Sequence, residues 1–330
     1  LLFDFLITSF NGYRGASKFY SADKYAGFIN KPNFSGKFGG FLNEFSSNVN
    51  IGPLGERLSV IKDCQYSKNI IFLGDSGVAG FEVNDNETFV SKINLKQCKY
   101  KGINFGVRGY NTHNVLGNYK RIKERINHDF VVYIVFPNDL AENVNVHPGL
   151  NNLIKKFGNV FDEVYYPPQL SKSENIYYNL RILFADNFYL STKLLYLLEK
   201  RQMPNFVKKK DQKLNKQISK ISKEEKNKMN NLIKKLSEET ASSGKILYVA
   251  GYPCLEYKKC KTIELENYLK KLSDKKSLFK VISLSNDLYE KFNKKLLDPS
   301  IMKFSNDPHL SKFGHSIVSD YLIKYFKKNG

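Results

Sequence analysis

The sequence has few cysteines, few arginines and no long uncharged apolar run, and each shortage excludes a class of protein. Four cysteines in 330 residues are too few for a small scaffold held together by disulfides. No run of about 18 uncharged apolar residues occurs, so the given residues include no complete membrane-spanning helix. With 42% hydrophobic and 14% aromatic residues the chain is not disordered as a whole, because it can bury a large core.

Acidic residues are scarce relative to basic ones: 32 against 52, for a formal net charge of +20. Only seven of the basic residues are arginine. Nucleic-acid binders favour arginine, whose planar guanidinium reads phosphate and guanine with two hydrogen bonds, so we expect no specific nucleic-acid partner. Two interpretations of the charge stay open: a solvated lysine-rich surface that reflects AT-rich coding, and attraction to an anionic polymer or membrane surface.

The four cysteines show no CxxC spacing, so we expect no zinc site. Cys64 precedes one predicted strand and Cys98 precedes the next, so both thiols can meet at one edge of a parallel sheet and pair. Cys254 and Cys260 can also pair, and the alternative of four unpaired thiols stays open.

The first ten residues are mostly apolar and begin without a methionine. They fit either the end of a trimmed signal anchor or an apolar terminus docked on the protein. The first interpretation predicts membrane association through the N-terminus. It favours the cell envelope, or an anchored extracytoplasmic position, over the cytoplasm. The oligomeric state stays open.

Residues 1–65 are rich in Gly, Asn, Phe and Ser and predict an extended lead-in that packs on a main domain formed by residues 66–330. In the main domain, helical patterns alternate with short apolar runs. This alternation predicts an α/β fold with a parallel five-stranded sheet covered on both faces. The predicted strands are 69–74, 101–106, 130–136, 245–251 and 278–284.

Two further patterns concern the helices. One helix is predicted after an Asn111/Thr112 cap, with an apolar stripe formed by Val115, Tyr119, Ile122 and Ile126. More than 100 residues separate the third and fourth strands, too many for a single crossover helix. We therefore predict an insertion over 141–230, with a helical cap over 141–205 followed by a lysine-rich linker.

Ser76 follows the first strand directly, within Gly74-Asp-Ser-Gly77. Ligands of parallel sheets bind outside the carboxyl ends of the strands, so chemistry is expected there. This segment alone fits a nucleophile and a helix-capping turn equally well. A phosphate cradle lacks its Gly-Lys-Ser/Thr and GxGxxG patterns, and Val78 breaks the GxSxG elbow.

Three later segments supply the partners that a nucleophilic serine needs. Gly109 and Asn138 follow the second and third strands, where their amide groups can converge near the Ser76 hydroxyl and stabilise an oxyanion. Near the C-terminus, Pro308 keeps the chain out of helix, so Asp307 and His309 can lie side by side. A carboxylate beside imidazole orients the ring to deprotonate a serine.

The other histidines are assigned to structural roles. His315 lies inside the final predicted helix and is expected to pack or cap there. His113, His128 and His147 are expected at the surface or in the core.

Together, in this order and at these strand ends, the four segments resemble those of the SGNH (GDSL) hydrolase superfamily. Some features of the lead-in, Pro32 to Gly36 and Gly52 to Arg57, look like those of its envelope-associated bacterial members. The resemblance covers residues from about 65 to 330. It implies a three-layer α/β/α, flavodoxin-like fold and a Ser76–His309–Asp307 triad. It also implies an oxyanion hole from Ser76, Gly109 and Asn138.

The sequence departs from the family pattern at two positions. Phe136 stands where the Asn block usually has Gly, which we expect to change packing only. The acid usually lies three residues before the histidine, where this chain has Asn306; we take Asp307, two residues before, as the acid.

The resemblance implies a serine esterase that acts on O-acyl esters, for example acetyl esters. The lysine-rich surface and the possible anchor indicate a carbohydrate or other cell-envelope substrate. Its substrate partner would be an acylated small molecule or glycan, and the chemistry requires no metal or organic cofactor. Two alternatives stay open: an O-acyltransferase that uses the same site, and a non-catalytic glycan-binding or assembly protein on the same fold.

Overall fold

A computed structural model describes residues 17–39, 44–136, 138–144, 221–255, 261–276 and 279–329. The predicted cap over 141–205 lies outside the described residues except for its first four positions. Of the predicted linker over 206–230, only the last ten residues are described. Within them, a helix begins at Lys223.

A five-stranded parallel sheet forms the centre of the molecule, as the sequence predicts. The strands are β5 (Lys68–Gly74), β6 (Tyr100–Gly106), β7 (Phe130–Val135), β8 (Ile246–Gly251) and β9 (Lys280–Ile282). They stand in the order β6-β5-β7-β8-β9. The predicted strand ends lie within two residues of the observed ones.

Helices cover both faces of the sheet, which confirms the α/β class. The described helices are α1 (Ser76–Ala79), α2 (Phe89–Lys96), α3 (Thr112–Ile122), α4 (Asp139–Glu142), α5 (Lys223–Ser242), α6 (Lys261–Lys276), α7 (Leu284–Asn293) and α8 (Lys312–Asn329). On β5, Ile71 and Leu73 point to one face, where the core includes side chains of α3, α5 and α6. Ile70 and Phe72 point to the other face, where α2, α7 and α8 pack.

Asn111 caps α3 as expected, accepting hydrogen bonds from the amides of His113 and Asn114. The helix ends at Ile122, four residues before the predicted stripe does. Ile126 still packs against the core, from the turn that follows. None of the helices in the described ranges is both long and apolar enough to cross a membrane.

The described part of the lead-in forms two antiparallel hairpins beside the sheet. Aromatic side chains of the lead-in, Phe19, Phe28 and Phe38 among them, are buried in the same core as the first face of the sheet. Each fully buried side chain of this size contributes roughly 2–3 kcal/mol to the free energy of folding. The hairpins are β1 (Tyr20–Asp23) with β2 (Gly27–Asn30), and β3 (Ser35–Gly39) with β4 (Ser46–Asn50).

The register of the strands aligns their carboxyl ends. Gly74, the last residue of β5, stands opposite Gly106 of β6 and Ile134 of β7. The loops that follow these three strands therefore emerge side by side, and Ser76, Gly109 and Asn138 all lie in them.

A disulfide joins Cys64 and Cys98, which precede β5 and β6. This is the pairing that the parallel arrangement favours, and the alternative of four unpaired thiols is wrong. Cys254 is buried and Cys260 lies outside the described residues.

Replacing both Cys64 and Cys98 with serine should lower the free energy of unfolding by about 2–4 kcal/mol, because the bridge closes a long loop in the unfolded chain. Urea unfolding of the oxidised protein and of the variant measures the difference. Reductant should bring the wild-type protein close to the variant and leave the variant unchanged. Equal stability of the two oxidised proteins would contradict this account.

Candidate active site

Ser76, His309 and Asp307 form a continuous chain of hydrogen bonds at the carboxyl edge of the sheet. The Oγ of Ser76 lies 2.8 Å from Nε2 of His309. The other ring nitrogen, Nδ1, lies 2.5 Å from Oδ1 of Asp307. The same carboxylate oxygen also accepts the backbone amide of His309, at 2.9 Å. The three residues that the sequence proposed as a triad therefore meet, although Ser76 and His309 are 233 residues apart.

The loop that carries His309 is held in place by Phe136 and Tyr252. Phe136 stacks on the imidazole, with ring centroids 5.8 Å apart. Phe136 also contacts Tyr252, whose hydroxyl accepts the amide of Leu310 at 3.0 Å. The departure from glycine at position 136 thus places an aromatic ring against the histidine, in line with an effect on packing.

The turn that carries Ser76 is held from β6. The side-chain amide of Asn104 donates to the carbonyl of Val78 at 2.8 Å. Gly106 allows this close approach, since a Cβ there would lie 2.3 Å from the backbone nitrogen of Ala79. Gly80 ends α1 in the left-handed region, with φ of 59°.

The proposed oxyanion-hole donors surround the carboxylate of Asp75. The amide of Gly109, in the left-handed region with φ of 81°, donates to Oδ1 of Asp75 at 2.5 Å. The side-chain amide of Asn138 lies 3.3 Å from Oδ2 of Asp75. The backbone amide of Ser76, the next residue in the chain, favours the charged form of this carboxylate and so lowers its pKa. The structure thus brings the three proposed donors together, with an internal carboxylate between them.

Three acidic residues lie close together beneath these donors. Burial raises the pKa of Asp75, and the amides of Ser76 and Gly109 partly offset the effect. Burial and the charge of Asp75 raise the pKa of Asp139 well above its ordinary value, and that of Glu142 to about 8. Glu142 accepts the side-chain amide of Asn138 at 2.9 Å. The ionisation of Glu142 therefore bears directly on Asn138, one of the proposed oxyanion donors.

The geometry favours Asp307 over Asn306 as the partner of His309. Asn306 faces away, and its backbone amide donates to Glu44 of the lead-in at 2.9 Å. Burial alone would raise the pKa of Asp307, but its hydrogen bonds with His309 and the positive charge of Arg108 outweigh it. The pKa of Asp307 lies below its usual value, so this carboxylate stays charged beside the ring.

Sequence reasoning missed Glu82, which also borders the imidazole. Its Oε1 lies 3.4 Å from Nδ1 of His309, and the guanidinium of Arg108 forms an ion pair with the same oxygen. Glu82 lies six residues after Ser76, and its position in the sequence does not show that the chain turns back and brings its carboxylate to the ring.

The remaining predicted histidines have structural surroundings. His315 is buried, and its Nδ1 accepts the backbone amide of Phe89 at 3.2 Å. Burial, with the charge of Arg57, lowers the pKa of His315 to about 3, so the ring is neutral. His128 is buried beside Tyr119, His113 is half-buried, and His147 lies outside the described residues.

Glu82, Asp307 and His309 are ligand types that could hold a metal ion, and their ligand atoms lie within 4.8 Å of one another. Arg108 places a positive charge on Glu82, however, and both nitrogens of His309 already have hydrogen-bond partners. This cluster is therefore better suited to proton transfer than to binding a cation.

No protein-family model matches the sequence, and no curated protein matches it. Among solved structures, it is similar to a lipolytic G-D-S-L family protein from Veillonella parvula (11% identity, 78% of this chain and 98% of that chain, TM-score 0.43). It is also similar to the esterase EstA from Pseudoalteromonas sp. (12% identity, 79% of this chain and 97% of that chain, TM-score 0.43). A third similar structure is a catalytic mutant of an acetylxylan esterase from Geobacillus stearothermophilus (11% identity, 80% of this chain and 95% of that chain, TM-score 0.42).

Glu142 gives the site a measurable pH dependence. Because its pKa is raised from 4.5 to about 8, the folded state binds its proton more tightly than the unfolded state does. The contribution of Glu142 to the free energy of unfolding is therefore complete below about pH 4.5 and is lost as the pH rises towards 8. Glu142→Gln, which keeps an acceptor for Asn138, should flatten this decline in urea unfolding series. The exposed Glu290→Gln is the matched control, and an unchanged slope in Glu142→Gln would contradict the assignment.

Proposed function

We propose that this protein is a serine esterase in which Ser76 is the nucleophile, His309 the general base and Asp307 the acid that orients it. The observation that carries the proposal is the position of His309, with one nitrogen on the Ser76 hydroxyl and the other on the Asp307 carboxylate. An activated serine requires this geometry, since the base must reach the hydroxyl while a third group fixes the ring.

In the first step Ser76 Oγ attacks the ester carbonyl, and its proton moves to Nε2 of His309. Asp307 stabilises the resulting imidazolium through Nδ1. When the tetrahedral intermediate collapses, the bond to the alcohol oxygen breaks and Nε2 returns the proton to the leaving alcohol. Water then attacks the acyl-enzyme by the same route, which releases the acid and restores Ser76.

Charge on the tetrahedral intermediate is stabilised by the amides of Ser76, Gly109 and Asn138. In the free protein these donors hold Asp75, so the substrate oxygen must share or displace that carboxylate. A neutral Asp75 repels an oxyanion less than a charged one does. Burial, which raises the pKa of Asp75, makes that neutral form more accessible.

We propose a small acyl group, such as acetyl, on a carbohydrate or other cell-envelope substrate. Ser76 is 7% exposed and Phe136 stacks beside the histidine, both of which support a short acyl chain. The net charge of +20 supports an anionic polymer as the acceptor. The Cys64–Cys98 disulfide supports an extracytoplasmic location, because such bridges persist in oxidising compartments.

Treatment with a fluorophosphonate tests the nucleophile directly. The wild-type protein should gain one label by intact mass, as the Ser76 Oγ–P bond forms and fluoride leaves. Ser76→Ala should abolish labelling. Ser305→Ala, at an exposed position four residues before His309, is the control and should label normally. A folded wild-type protein that does not label would overturn the proposal and favour the non-catalytic glycan-binding alternative.

The anionic substrate class predicts a selective effect of salt. Raising NaCl from about 50 mM to about 500 mM should slow deacetylation of an O-acetylated anionic glycan several-fold, because salt screens attraction between exposed charges. Hydrolysis of a neutral aryl acetate should change little. Equal salt effects on both substrates would contradict the anionic acceptor.

Release of acetate measures hydrolysis, and transfer of acetyl to an added sugar would reveal the acyltransferase alternative.

A further inference from the structure

A buried acid that borders His309 has no role in the proposed mechanism. Glu82 is 2% exposed, and its Oε1 lies 3.4 Å from the Nδ1 of His309. Its second oxygen, Oε2, is buried and accepts no hydrogen bond from the described residues. Buried carboxylates normally satisfy both oxygens, so an acceptor with spare capacity beside a catalytic imidazole calls for explanation.

The side chain of Arg57 holds the backbone around Glu82 in place. The buried guanidinium of Arg57 donates to the carbonyls of Ala79 at 2.8 Å and of Val83 at 2.6 Å, and also to that of Gly80. These carbonyls lie on both sides of Glu82. The neighbouring Phe81 is fully buried in the core. The orientation of Glu82 towards the ring is thus set by a rigid turn and not by a flexible side chain at the surface.

Three charged side chains lie beside the ring of His309. Asp307 and Glu82 both approach Nδ1, and Arg108 forms an ion pair with Glu82. In the proposed mechanism Nδ1 carries a proton both before and after Nε2 takes the proton of Ser76, so either carboxylate can accept the hydrogen bond from Nδ1.

We propose that Glu82 is a positioning residue that provides a second carboxylate for His309 and takes over from Asp307 when that acid is removed. This inference rests on the proposed function and extends it. It also fits the unusual spacing of the acid. Asp307 uses a single oxygen to accept both the backbone amide and the Nδ1 of His309. Glu82, on the turn that follows α1, approaches the same Nδ1.

The test compares the effect of Glu82→Gln in two backgrounds. In the wild-type background it should lower the second-order rate of fluorophosphonate labelling about 5-fold. In the Asp307→Asn background, where Glu82 is the remaining carboxylate, it should lower the rate about 100-fold. Equal factors in both backgrounds, or no effect in either, would overturn the proposal. Asn306→Ala, which alters only the neighbouring position, should leave the rate nearly unchanged.

Two controls separate a role at the ring from a role in folding. Arg108→Met breaks the ion pair but leaves Glu82 beside His309. In the Asp307→Asn background it should not reproduce the 100-fold loss; an equal loss would show that Glu82 acts only by holding Arg108. The acidic limb of the labelling profile should also move to lower pH in the double variant relative to Asp307→Asn, because the ring loses its last carboxylate. A limb that stays in place would contradict the proposal.

A readout without catalysis distinguishes failure of this inference from failure of the proposed function. In Ser76→Ala, the downfield proton resonance of His309 Nδ1 should persist after Asp307→Asn and disappear after the further change Glu82→Gln. If the wild-type protein does not label but this pattern holds, the esterase proposal fails and the contact stands. If labelling is normal but the resonance ignores Glu82, the inference fails alone.

Discussion

The structure depends on one buried cation, the guanidinium of Arg57. It belongs to the lead-in by sequence, yet it donates to carbonyls of the turn after Ser76 and pairs with Asp85. Its own backbone amide donates to Asn104 on β6. A buried charge that lost these partners would cost about 3–5 kcal/mol, so the lead-in, the serine turn and the sheet are energetically coupled. The lead-in therefore supports the turn that carries Ser76.

The second constraint is the alignment of the strand ends. Parallel pairing brings the loops after β5, β6 and β7 to one edge, and the carboxylate of Asp75 then binds them together through Gly109 and Asn138. Burial makes this carboxylate costly to ionise, as its raised pKa shows. The same donors that could stabilise an oxyanion thus stabilise the fold of the free protein.

Local signals in the sequence were sufficient for the sheet and for the residues at its edge. Short apolar runs predicted the five strands, four of which end at glycine or just before proline, and the shared edge of the strand ends predicted where Ser76, Gly109 and Asn138 lie. The meeting of Ser76 with His309 was implied by the resemblance of the motifs to those of a known family. The contacts of Glu82 and Arg108 could not be predicted, because they depend on how the turn after α1 folds back on itself. Residues 145–220 lie outside the described part, so the predicted cap stays a prediction.

The unusual position of the acid and the docking of the lead-in are two aspects of one arrangement. Because Asp307 serves the histidine from two residues away, Asn306 is released from that task, and it binds Glu44 of the lead-in instead. Phe45, the next residue, packs on Phe304 of the same loop, with ring centroids 4.9 Å apart. An acid three residues before the histidine would occupy the position that now anchors the hairpin. The spacing of the acid is thus tied to the attachment of the N-terminal segment.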